Sequence, residues 1–237
     1  MIQQCARTNR HVHGCAAMDA DRTVSPASAA AGAPESADPS ADRIADAADA
    51  LFCARGYEAV SIRDIAERAG VKKASVFYHF GTKEKLFEGV LDRYYAAHAA
   101  ALQKGRLCSG SVDERMHVLL DAYMDFMEDH SRYVRLVHIE VASSGPALPL
   151  ISQGLRKLSQ LVEEILGDHV PSDGALSAKH FFISFSGIVN TYALYAGALG
   201  PMWRSDPLST ASRRERRTHV HWVADALLQQ LERERCG

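Results

Sequence analysis

The chain lacks most of what marks a secreted protein or a catalyst. Cys5, Cys15, Cys53, Cys108 and Cys236 are odd in number and scattered over 237 residues, and no C-x-x-C pair occurs. A disulfide framework needs paired cysteines in a small secreted chain, so these read as reduced thiols. Neither common glycine-rich phosphate loop is present, nor a G-x-S-x-G nucleophile turn. No two of the 11 histidines stand three or four residues apart, so none pair on one helix face to hold a metal. Cys5, His11, His13 and Cys15 match no common zinc spacing. The expectation is no catalytic residue, no metal and no cofactor. A helical enzyme with an unanticipated site stays as an alternative.

Charge of one sign is also missing. There are 27 Lys+Arg against 29 Asp+Glu, a net charge of −2, so the total gives no hint of nucleic acid. With 47% hydrophobic and 24% charged residues the chain is globular in type, which excludes collagen-like and wholly disordered classes. Its length allows one large domain or two small ones.

Residues 19–43 contain no Leu, Ile, Met, Phe, Tyr or Trp. Such a stretch buries too little apolar surface to offset its ordering entropy, so it reads as disordered. Residues 1–39 are therefore assigned as a tail. Met18 opens the stretch and is a second candidate start, which the intact mass of the natively expressed protein decides. No apolar leader core follows Met1, and a cytoplasmic location is expected.

Only one long run lacks charge, residues 181–199. It meets the length of a membrane span. However, it carries Ser184, Ser186, Asn190, Thr191, Tyr192, Tyr195 and two glycines. An all-round apolar helix is also what a buried core or a dimer interface contains, so no membrane is expected.

The remaining pattern is helical. In 40–55, Ile44, Ala48, Leu51 and Phe52 recur on one helical face, and Gly56 stops the helix. Ser61 with Asp64 forms a shortened capping box ahead of Ile62, Ile65, Ala66 and Ala69. Gly70 ends that helix. Val71 turns the chain into 72–80, and Gly81 stops it. Thr82 caps a fourth helix with Leu86, Phe87, Val90 and Leu91 on its apolar side. Two short helices joined through a glycine turn make a helix-turn-helix, whose second helix enters the DNA major groove. Residues 61–85 hold six basic and three acidic residues, so a local basic patch hides inside the near-neutral total.

The ungapped run from Ser61-Ile-Arg-Asp-Ile-Ala-Glu-Arg-Ala-Gly-Val-Lys-Lys-Ala-Ser-Val-Phe-Tyr-His-Phe-Gly-Thr-Lys-Glu-Lys-Leu-Phe resembles the N-terminal signature of the TetR family of transcriptional repressors. The resemblance covers about residues 40–90. It implies an all-α homodimer with a three-helix DNA-binding head at 40–86 and a larger effector-binding and dimerisation body at 87–237. It further implies release from a palindromic double-stranded operator by a small molecule.

Carried over by position, the resemblance puts Ser61 on a phosphate and Arg63 on a phosphate or base edge. Lys72 and Lys73 stand at the entry to the recognition helix. Ser75 and Tyr78 would face bases, and His79 would meet the backbone. Thr82 and Lys83 would receive one phosphate at the start of the fourth helix. Two positions depart from the pattern. Phe77 stands where Tyr is usual, and Lys72 replaces a capping hydroxyl.

In the body, Ser111-x-x-Glu114 is a capping box for a helix to 129. Further helices are expected at 133–142, 148–166 and 176–199. A second box, Ser212-x-x-Glu215, would open the last one, to 235. The final two helices are the expected self-association face, with Trp222 beside Val220, Val223, Leu227, Leu228 and Leu231. A small, largely apolar effector is expected between helices, with Tyr123, Met127, His138, Phe181, Phe185, Asn190 and Tyr192 as candidate contacts. Control by a protein partner, or action as an activator, stay as alternatives.

Overall fold

A computed structural model describes residues 39–145 and 147–236. The candidate start at Met18 and the Cys5–His11–His13–Cys15 group lie outside the described residues. So does the assigned tail apart from residue 39. The described residues are all-α, without a strand among them.

The helices are α1 Pro39–Arg55, α2 Ile62–Ala69, α3 Lys73–Phe80, α4 Lys83–Leu107, α5 Val112–Asp129, α6 Ser131–Ala142, α7 Leu148–Leu166, α8 Ala178–Trp203 and α9 Thr210–Cys236. A 3-10 turn, Gly167–His169, follows α7. Residues 39–43 are thus helical and not part of a disordered stretch. The helix expected from residue 40 forms with one residue more, anchored from one face by Ile44, Ala47, Ala48, Leu51 and Phe52.

Local signals set the ends of the early helices. Ser61 Oγ accepts from Asp64 N at 3.2 Å, and Asp64 Oδ2 accepts from Ser61 N at 3.0 Å. Gly70 closes α2 in the left-handed region, φ 66°. Such a conformation suits a residue without Cβ. Lys72 precedes α3 without a side-chain cap. Thr82 Oγ1 accepts from Lys85 N at 3.2 Å and opens α4. Ser111 and Glu114 form the full reciprocal box of α5.

Several ends differ from the sequence reading, among them the start of α8, which lies two residues late at Ala178. α6 starts two residues early, at Ser131, because His130 breaks α5 for a single residue and its Nδ1 binds Phe126 O at 2.9 Å. α8 runs past 199 through Pro201 to Trp203. The proline sits in the last turn, where one lost backbone bond costs little. α9 begins at Thr210, so Ser212 does not cap it. Ser209 takes that part, accepting from Ser212 N at 3.2 Å.

One continuous apolar core runs from α1 to α9. Phe52 packs edge-on to Phe87 with centroids 4.8 Å apart, and Tyr57 joins both. Further along α4, the ring of Tyr95 lies across α7 at Gly154, where any Cβ would collide with it. α4 is unbroken across position 86, so it belongs to the packing of both ends.

α9 is held to α5 by charge as well as by Val220, Ala224, Leu228 and Leu231. Arg217 donates to Asp121 at 2.7 Å and to Asp125 at 2.6 Å. His221 meets Asp121 at 2.8 Å, and His117 meets Asp225 at 2.7 Å. Arg216, buried, pairs with Glu128, which Arg213 also reaches at 3.4 Å.

Candidate nucleic-acid interface and effector cavity

α2 and α3 are joined by three residues, and Ile65, Ala66 and Val76 turn inward to seat them. That burial leaves the opposite side of α3 to solvent. Lys72, Lys73 and Phe77 are exposed there, and Tyr78 is 85% exposed. So large an open aromatic in one short segment with two exposed lysines suits a surface that meets bases and phosphates. Lys73 Nζ sits 5.5 Å from the Phe77 ring centre. Arg63 is exposed on α2, and Ser75 is half-buried on α3.

The other candidate contacts carry internal bonds. Ser61 Oγ also donates to Asp64 Oδ2 at 2.8 Å, so its hydroxyl serves the cap. The Ser61 bonds hold the Asp64 carboxyl below its usual range. His79 Nε2 lies 3.0 Å from Ser40 Oγ, which ties α3 to α1. Lys83 Nζ rests 4.0 Å over the Tyr57 ring, and Tyr57 donates to Glu84 Oε1 at 2.8 Å. Tyr57 therefore orients a cation and an anion together at the start of α4. Exposed Thr82 stands beside them. Burial, aided by Glu84, pushes the Tyr57 phenol well above its usual range.

The same loop is pinned from the body. Glu140 of α6 is buried, and its Oε1 accepts from Tyr57 N at 2.8 Å. Gly56, at φ 76°, makes this approach possible: a Cβ there would stand 3.2 Å from Ile139 Cγ2. Cys53 on α1 is buried and donates to Asp49 at 3.4 Å. Burial and the neighbouring carboxylate push its thiol up to about 12, so it packs as an inert group.

Within the body, α4, α5, α7 and α8 line a small apolar cavity, partly open to solvent. His98 and Leu102 line it from α4, Met116, Leu119, Leu120 and Tyr123 from α5, and Val162 from α7. Phe181, Phe182, Phe185 and Ser186 close it from α8. The structure therefore brings together Tyr123, Phe181 and Phe185 of the candidate effector residues.

The other four stand elsewhere. Asn190 supports the cavity from behind, accepting from Tyr123 Oη at 3.2 Å. Met127 faces a separate hollow beside Glu128 and Arg216. Tyr192 packs near Trp203, with Arg216 5.0 Å above its ring. His138 is exposed on α6. His98 went unread in the sequence. Its signal was its place on the stripe of Leu91, Tyr95, Leu102 and Gly105 along α4.

Of the two non-membrane readings of the uncharged run, a buried core or a self-association face, α8 fits the first along one side only. Only Ala178, Phe181, Phe185 and Val189 are buried on it. Ile183, Tyr195, Met202 and Trp203 are exposed, as is Trp222 of α9. Among the described residues, α8 is the one helix long and apolar enough to cross a membrane.

A family model for bacterial regulatory proteins, tetR family, matches residues 44–90. Over 162 residues the chain is 30% identical to the HTH-type transcriptional repressor NicS of Pseudomonas putida, spanning 68% of this chain and 74% of that one. The chain belongs to the TetR family.

It is also 25% identical over 143 residues to the HTH-type transcriptional activator FasR of Mycolicibacterium smegmatis, spanning 60% of this chain and 64% of that protein's length. Among solved structures, the fatty acid degradation regulator FadR from Bacillus halodurans matches with a TM-score of 0.60 at 16% identity, over 83% of this chain and 96% of that one. A tetR-family regulatory protein from Rhodococcus RHA1 matches with 0.60 at 20% identity, over 82% and 98%. These structures share the TetR fold. TetR proteins are transcriptional regulators that bind DNA and act as dimers. The matched residues 44–90 include the whole of α2 and α3.

Proposed function

We propose that this chain is a cytoplasmic repressor, not an enzyme, that grips a palindromic operator as a homodimer and lets go when a small, largely apolar effector binds. The carrying observation is the outward side of α3, where Lys72, Lys73 and Tyr78 stand in the open behind a capped α2. In this reading 40–86 reads DNA and 87–237 holds the effector and the partner copy. Ser75 and Tyr78 face bases. Arg63, Lys72, Lys73, Thr82 and Lys83 meet phosphates, while Ser61 and His79 stand at the margin of the contact. Tyr123, Phe181 and Phe185 wall the effector cavity.

The dimer follows from surface that one chain leaves uncovered. Ile183, Tyr195, Met202, Trp203 and Trp222 form an exposed apolar set on α8 and α9. Large apolar side chains left open along two helices suit an association face. A two-fold pair presents two recognition helices and needs half-sites about one DNA turn apart. The activator named among the relatives favours a second reading, with the same geometry and the opposite output.

A gel shift on the promoter beside the chain's own gene, with and without a small-molecule panel, tests the proposal. Binding that an apolar compound relieves supports it. Absence of binding to any DNA sinks the reader. Binding that no compound relieves sinks the effector. A monomer by light scattering sinks the dimer.

A further inference from the structure

We propose that the body cavity takes an uncharged, largely apolar molecule carrying one hydroxyl or carbonyl oxygen, and that His98 holds that oxygen. This deepens the effector reading above and rests on it for the consequence of binding alone.

His98 is 3% exposed and lines the cavity. Neither of its ring nitrogens has a partner among the described residues. Buried polar atoms are ordinarily paired, because an unmade hydrogen bond forfeits the water it displaced. The ring lies nearly parallel to Tyr123 and Phe126, with centroids 5.3 and 4.5 Å away. Those contacts use the faces of the imidazole. Its N–H and its bare nitrogen lie in the ring plane and stay unspent.

The other polar groups of the lining are committed. Tyr123 donates to Asn190, and Ser186 Oγ donates to Ile183 O at 3.2 Å. The rest of the wall is apolar, with Leu102, Leu119 and Phe185 among it.

Charge selects the ligand class. No Lys, Arg, Asp or Glu lines the cavity. Burial first, and nearby His130 second, push the His98 imidazole down to about 3, so it is neutral at neutral pH. A carboxylate or phosphate would enter without a counter-ion, which burial penalises heavily. A neutral imidazole offers one donor and one acceptor. A hydroxyl answers both, and a carbonyl answers the donor.

The test uses the full chain and two probe pairs, decanol against decanoate and naphthol against naphthoate, with calorimetric titration. At least one alcohol is expected to bind, and its carboxylate partner to bind at least tenfold more weakly. His98→Phe should weaken the alcohol by about tenfold, the loss of one buried hydrogen bond. In nitrogen-15 spectra of the wild type, the alcohol should move the His98 ring resonances.

Failure of both alcohols to bind overturns the proposal. So does a carboxylate that binds as well as its alcohol, or an unchanged affinity in His98→Phe. If that variant does not fold, His98 resonances that stay put under bound alcohol overturn it instead. A gel shift with the same probes separates the two readings. Alcohol bound through His98 without DNA release leaves the site standing and sinks the effector role. DNA release that is indifferent to His98→Phe does the reverse.

Discussion

The head and the body are stabilised by different kinds of information. In the head, several helix ends are written within three residues of themselves, by Ser61 with Asp64, by Gly70, and by Thr82. Its core is a compact aromatic knot of Phe52, Tyr57 and Phe87. In the body, the decisive contacts join residues some ninety to a hundred positions apart, such as Arg217 with Asp121 and Asp125, and His221 with Asp121. The surfaces differ to match. The head shows solvent its cations and Tyr78, whereas α8 shows solvent an apolar side. A reader of one conserved polymer shape can be built from local rules. A chamber for a particular small molecule depends on how helices are phased against one another.

Breaking the aromatic knot should have the largest effect. Phe52→Ala is expected to cost about 4 kcal/mol. DNA binding should be lost on warming before the far-UV helical signal of the body falls. If the two signals move together, head and body melt as one unit and the contrast drawn above fails.

Next comes the charged seam. Glu128→Ala strands Arg216, which is 4% exposed, without its carboxylate. A loss of about 3 kcal/mol is expected from an uncompensated buried charge. Urea unfolding measures it, and a loss under 1 kcal/mol would show that Arg216 finds solvent.

The third effect depends on pH. His98 titrates lower in the folded chain than in the unfolded one. Its contribution is complete above the unfolded value and shrinks as pH falls below it. Between pH 7 and pH 5 the chain should lose about 2 kcal/mol through this residue. His98→Phe should abolish that share of the acid loss, read as Tm against pH. Equal slopes for variant and wild type would contradict the burial of a neutral imidazole.

The smallest effect is electrostatic. Lys83→Ala should weaken binding to all DNA alike and flatten the salt dependence by about one unit. Tyr78→Ala should instead change which sequences are preferred. An unchanged salt slope would confine Lys83 to its place over Tyr57.

Legibility followed the same divide. The head helices could be read because caps, glycines and apolar spacing are properties of neighbours. Even there, the bond between His79 and Ser40 was invisible, since it joins helices 39 positions apart. In the body, Ser212 mimicked a cap while Ser209 held the part, because the Ser212 hydroxyl turns back to donate to Asp206 O. Met127, His138 and Tyr192 missed the cavity because spacing gives a helix its faces and leaves open which face meets which neighbour. The seam of α5 and α9 did leave a trace. Asp121, Asp125 and Glu128 recur at helical spacing, as do Arg213, Arg217 and His221.

α4 carries one more consequence. Lys83, at the end proposed to meet DNA, and His98, at the cavity, belong to the same unbroken helix. Fifteen residues of helix separate them by about 22 Å. Were α4 to tilt by about five degrees at the cavity, its far end would swing by about 2 Å. Two such helices in a two-fold pair would swing oppositely, which would double the change in the span between recognition helices. The DNA repeat is rigid, so a mismatch of that size would be felt as lost contacts at both half-sites together.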